Sequence, residues 1–133
     1  MSGETAASRL AAIIAACVSG RGVTVLGGAR RDAKEQFRLR TSQSVIDFIA
    51  NGGLEDAKFH STQPFQLEGP DHGALVDSYE FFSGPNFGYM AFFRNADGIW
   101  VVKSFKKNDR RDPRFNLAIF DALKRAGKLI DGK

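Results

Sequence analysis

The chain has one cysteine, Cys17, in 133 residues. A disulfide framework and a CxxC metal knuckle are both excluded, and a lone thiol fits a reducing, cytoplasmic setting. No apolar run is longer than the nine residues Leu10 to Val18. A bilayer-spanning helix needs about 20, and no basic leader precedes this run, so neither a membrane helix nor a signal peptide is expected. Metal-site signatures are missing too: the two histidines, His60 and His72, form no HxH or HxxxH pair. No GxxxxGK(S/T) loop and no G-x-S-x-G elbow occurs, so neither a metal nor a cofactor is expected. Internal repeats and low-complexity tracts are absent.

What remains is an ordinary globular composition, 43% apolar and 26% charged, long enough for one domain over 1–133 with a real core. The net charge of +4 is unevenly placed. Residues 1–102 carry 9 basic and 11 acidic groups, whereas residues 103–133 carry 10 basic and 4 acidic. A basic segment on a near-neutral body attracts polyanions, nucleic acid foremost; a merely solvated helix face is the alternative.

The pattern along the chain is helical first and extended later. Ala7, Leu10, Ala11, Ile14 and Val18 make one stripe over 4–19, stopped at Gly20. A short β-branched run, Val23 to Leu26, precedes a second helix over 29–39. Thr41 or Ser42 caps a third over 43–51, and Asn51-Gly52-Gly53 ends it. Beyond residue 57 the expectation is extended structure, interrupted at Pro64, then strands over 74–83, 87–94 and 99–106. Asp112-Pro113 opens a basic helix over about 113–127. The order predicts an α+β domain, with N-terminal helices on a small antiparallel sheet of three to five strands.

The last hairpin brings side chains together. A turn symmetric about Ala96 and Asp97 pairs Arg94 with Ile99, Phe92 with Val101, Met90 with Lys103 and Tyr89 with Ser104. Alternation then puts Tyr89, Trp100, Val102, Ser104 and Lys106 on one face. A phenol, a hydroxyl and an ammonium near one point suit a phosphodiester, which RNA cleaves by its own 2′-hydroxyl when a protein moves the protons and stabilises the phosphoryl oxygens. A strand tyrosine reaching solvent and a soluble strand end account for the same residues without chemistry. The histidines are candidates as the usual general acid or base, or are plain loop residues. Cys17 is expected in the core.

These residues resemble a known family. Val76-Asp-Ser-Tyr79, Phe87-Gly-Tyr-Met-Ala-Phe92 and Trp100-Val-Val-Lys-Ser-Phe-Lys-Lys107 are similar to the C-terminal half of the MqsR mRNA interferase toxins, within the RelE-like superfamily. Phe105-Lys106-Lys107 followed by a helix also suits HigB-like relatives. The resemblance implies metal-free cleavage of mRNA, free or on the ribosome, restrained by a cognate antitoxin protein. It implies Tyr89 as general acid or base, Lys106 as phosphate stabiliser and His60 as a further proton carrier. Lys58, Arg94, Lys103, Lys107, Arg110, Arg111 and Arg114 would hold the RNA. The chain departs from the family pattern at His60-Ser61, where a lysine is usual, and at Val76, where a glutamine is usual. Those departures keep a second reading open: a non-catalytic nucleic-acid- or protein-binding module, a regulator or immunity-type protein on the same fold.

Overall fold

The computed structural model describes residues 4–110, 112 and 113. Helix α1 (Ala6–Ser19) starts at Thr5, whose hydroxyl accepts from the Ser8 amide, and stops at Gly20 in the left-handed region (φ 75°). Strand β1 (Val23–Val25) leads to α2 (Gly27–Phe37) and α3 (Ser42–Ala50). Thr41 caps α3 reciprocally with Ser44, as its residue type predicts. Strands β2 (Glu55–Pro64), β3 (Leu75–Ser83), β4 (Asn86–Arg94) and β5 (Trp100–Lys107) follow. The expected basic helix lies outside the described residues apart from Pro113, and so do Arg111 and Arg114. Among the described residues no helix is long and apolar enough to cross a membrane.

The α+β class holds, but the sheet is mixed. Its order is β1-β5-β4-β3-β2, and β1 runs parallel to β5. Three residues carry no pattern of their own, so long-range pairing decides the direction of β1. Strand β2 begins at Glu55 and ends at Pro64, so the stretch from Phe65 to Leu67 is loop. Proline has no N–H to continue the ladder.

The hairpin register differs from the symmetric expectation. Arg94 pairs with Trp100, not Ile99, because the turn closes between the Asn95 amide and the Ile99 carbonyl at 2.8 Å. A second offset follows: Phe92 pairs with Val102 and Ala91 with Ser104, leaving Lys103 as the extra residue of a bulge. One slip reverses every side chain, and two restore them. Trp100 and Val102 therefore face the helices with Phe92, contrary to expectation, while Tyr89, Ser104 and Lys106 share the outer face as expected.

The helices cover one face. Ile13, Cys17, Ala29, Ala33, Val45 and Ile49 pack on Phe81, Met90, Phe92, Val102 and Phe105. Each fully buried phenylalanine contributes roughly 1.5–3 kcal/mol. Gly88 is needed for this packing, since a Cβ there would come 2.4 Å from the Phe81 ring. Burial pushes the Cys17 thiol up to about 11, in line with a core role.

One ion pair fastens α1 to the sheet. Asp77, fully buried, accepts from Arg9 Nε at 2.6 Å, Arg9 Nη2 at 3.0 Å and the Thr62 hydroxyl at 2.6 Å. Removing one partner strands the other's charge, so Arg9→Met should cost about 3–5 kcal/mol. Urea unfolding measures this. Adding Asp77→Leu to Arg9→Met should recover much of the loss, and a single-variant cost below about 1 kcal/mol would show that the pair does not anchor the helix.

Candidate active site

The outer face carries the polar chemistry. Lys58 pairs with Glu80 across β2 and β3, Glu80 with Tyr89 across β3 and β4, and Tyr89 with Lys106 across β4 and β5. Neighbouring strands lie about 4.8 Å apart, so Glu80 and Lys106 stand roughly 10 Å apart with Tyr89 between them. The next row is Ser61, Ser78, Ala91 and Ser104.

A register shift in β2 between Phe59 and Ser61 adds a fifth group. It brings His60 to the outer face, with its ring 5.9 Å from the Tyr89 ring, edge to face. His60 Nδ1 lies 3.3 Å from the Ser78 hydroxyl, and Ser78 lies 2.9 Å from the Ser61 hydroxyl. His60, Glu80, Tyr89, Ser104, Lys106, Asn108 and Arg110 line one open hollow of about 410 Å³.

Glu80 is the electrostatic centre of that hollow. Its side chain is only 9% exposed, and a carboxylate there needs partners. Arg110 donates to both oxygens, at 2.6 and 2.7 Å, and Asn108 Nδ2 donates at 3.0 Å. The Arg110 guanidinium holds the Glu80 carboxyl below its ordinary value; burial opposes this, and Asn108 adds to it. Glu80 is therefore ionised at neutral pH. Lys106 Nζ sits 5.9 Å from the Tyr89 ring centre and 3.4 Å from Asp109, whose side chain is 89% exposed. So exposed a pair is worth little and leaves the ammonium open to an incoming anion.

The structure brings together three expected catalytic residues, Tyr89, Lys106 and His60, with Arg110. Lys58 is at the rim, where it lines a smaller hollow with Glu80 and Arg110. Lys103, in the bulge, lines a neighbouring hollow that shares Tyr89. Arg94 lies apart: it faces Glu4 at 3.3 Å and stacks 5.2 Å from the Trp100 ring. Lys107 also lies apart, beside α2, where its amide donates to Gln36. His72 sits in the loop after β2, near the Leu67 carbonyl and Glu68. Sequence reasoning missed Glu80 and Asn108. The available signal was a second acidic residue in the strand Leu75–Ser83, three positions after Asp77 and so on the opposite face, flanked by Tyr79 and Phe81.

Among the described residues no group of three His, Cys, Asp or Glu side chains is placed to hold a metal ion. No protein-family model, curated protein or solved structure matches the chain.

The lowered Glu80 value has a pH consequence. Its stabilisation is complete above the ordinary carboxyl value of 4.5 and is lost as pH falls through the lower native value. Glu80→Gln should flatten the stability profile between about pH 5 and about pH 3. Urea midpoints at those pH values test this. Equal slopes in variant and parent would mean that Glu80 is not held ionised by Arg110.

Proposed function

We propose that the protein is a metal-independent endoribonuclease acting on mRNA. The observation that carries this is Glu80, held ionised in one hollow with His60, Tyr89, Lys106 and Arg110. Two-step proton traffic and charge stabilisation are what strand scission by a 2′-hydroxyl requires. Glu80 takes the proton from the 2′-hydroxyl as its oxygen bonds to phosphorus. The bond from phosphorus to the 5′-oxygen breaks, and that oxygen receives a proton from His60 or Tyr89. The products are a 2′,3′-cyclic phosphate and a 5′-hydroxyl. Lys106 and Arg110 stabilise the added charge on the phosphoryl oxygens. Lys58 and Lys103 hold the flanking backbone, a role weakened by salt.

The biological setting, a RelE- or MqsR-like toxin silenced by a cognate antitoxin protein, rests on the sequence resemblance around Tyr89 and Phe105-Lys106-Lys107. A second reading has one specific support. Arg110 and Asn108 together occupy both Glu80 oxygens, an arrangement that also serves a module that binds RNA without cutting it.

Cleavage of mRNA in excess chelator separates the two. The expected products end in cyclic phosphate, and Glu80→Gln should slow their appearance by about 10²–10⁴-fold. Lys106→Ala should act in the same direction. Induction of the intact gene should arrest bacterial growth, and Tyr89→Phe or Lys106→Ala should relieve that arrest. RNA that binds but stays whole selects the second reading. Unhindered growth at high expression removes the toxin assignment.

A further inference from the structure

A second hollow of about 440 Å³ lies on the other side of Tyr89, within the size range of small-molecule sites. Its walls differ in kind from those of the first. Phe65, Leu67 and Val76 make it apolar, while Gln63 and Gln66 supply amides. The Phe65 ring is backed by Phe93, 4.9 Å away and nearly parallel, so it stands as a fixed plate. Gln66 Nε2 donates to the Pro64 carbonyl at 3.1 Å, which leaves its own carbonyl oxygen to accept. The exposed Gln63 offers both a donor and an acceptor. Lys103 sets a cation at the border.

Two features join this hollow to the reacting groups. Tyr89 lines both. Ser61 and Ser78 line the apolar hollow, and their hydroxyls lie 3.4 and 3.3 Å from Nδ1 of His60, which lines the other. An occupant of the apolar hollow is thus one residue's width from a phosphate between Glu80 and Lys106.

We infer that this hollow is a nucleobase subsite: it receives the unpaired base beside the scissile phosphate, against Phe65, and Gln63 and Gln66 read its edge. The inference rests on the ribonuclease reading for the phosphate beside it. Single-stranded RNA is read in this way, with splayed bases stacked on aromatic rings and hydrogen-bonded along their edges. A plate, two amides and a neighbouring cation match a base bearing a phosphate. A wholly apolar ligand would make no use of the Gln63 amide or of the Gln66 carbonyl oxygen.

Titration of the full chain with each of the four nucleoside 3′-monophosphates, and with inorganic phosphate, tests the subsite. At least one nucleotide should bind more tightly than phosphate. Phe65→Ala should weaken that nucleotide by about 5- to 100-fold while leaving phosphate affinity unchanged. Gln63→Ala, at an exposed position that leaves the core intact, should alter the ranking of the four bases. Four nucleotides bound no better than phosphate, or bound equally well by both variants, overturn the subsite even if RNA is cut. Conversely, base binding that depends on Phe65 and Gln63 with RNA left whole upholds the subsite and removes the cleavage reading.

Discussion

The extra residue in β5 governs both faces of the sheet. The stretch from Trp100 to Lys107 must bury Trp100, Val102 and Phe105 against the helices, yet Val102 and Phe105 are three residues apart. Strict alternation cannot point both inward. Bulging at Lys103 reconciles them, with Val102 opposite Phe92 and Phe105 opposite Met90. The same bulge leaves Lys106 opposite Tyr89 on the outer face. Core packing and site geometry are thus one constraint. A matching irregularity in β2 brings His60 in from the other side, so the straight strand β4 is the reference against which both flanking groups are set.

The electrostatics of the outer face follow from unequal burial. Glu80 lies deep between strands and is satisfied by a two-pronged guanidinium and an amide, an expensive group fully compensated. Among the described residues, the ion-pair partner of Lys106 is the exposed Asp109. Before any anion binds, the carboxylate is thereby held ionised and in place, whereas the ammonium is free to exchange its partner for a phosphate. That asymmetry suits a site in which the protein keeps the base and the substrate supplies the anion.

Much of the helical part was legible because its signals are local. Thr41 followed by Ser44, and Gly20 after the α1 stripe, act within one helical turn and decide the ends wherever the helix packs. The outer-face meeting of Tyr89, Ser104 and Lys106 was legible only because two offsets cancel, one at the Asn95–Ile99 closure and one at Lys103. Between them the expected faces were reversed. The spacing of Trp100, Val102 and Phe105 was the available sign of a bulge. Glu80 was not found because its role depends on Arg110, a partner 30 residues away that local pattern cannot place. Nor could alternation separate Arg94, which turns to Glu4 and Trp100, from the cations beside Tyr89.

The bidentate grip on Glu80 bears on the proposed chemistry. A carboxylate held low by a guanidinium is ionised but weakly basic, and a general base works best with a value near the working pH. Phosphate oxygens compete for the same fork of N–H donors that Arg110 now gives to Glu80. The Arg110 side chain is 51% exposed and stacks 5.0 Å from the Phe87 ring, so it can turn toward an anion without leaving a buried hole. Each hydrogen bond that moves from carboxylate to phosphate removes a cause of the low Glu80 value, and the phosphate's own charge raises that value further. On this reading the substrate's phosphate strengthens the base that takes the proton from its 2′-hydroxyl. Arg110 is then a stabiliser of the resting carboxylate before binding and of the phosphoryl charge after it.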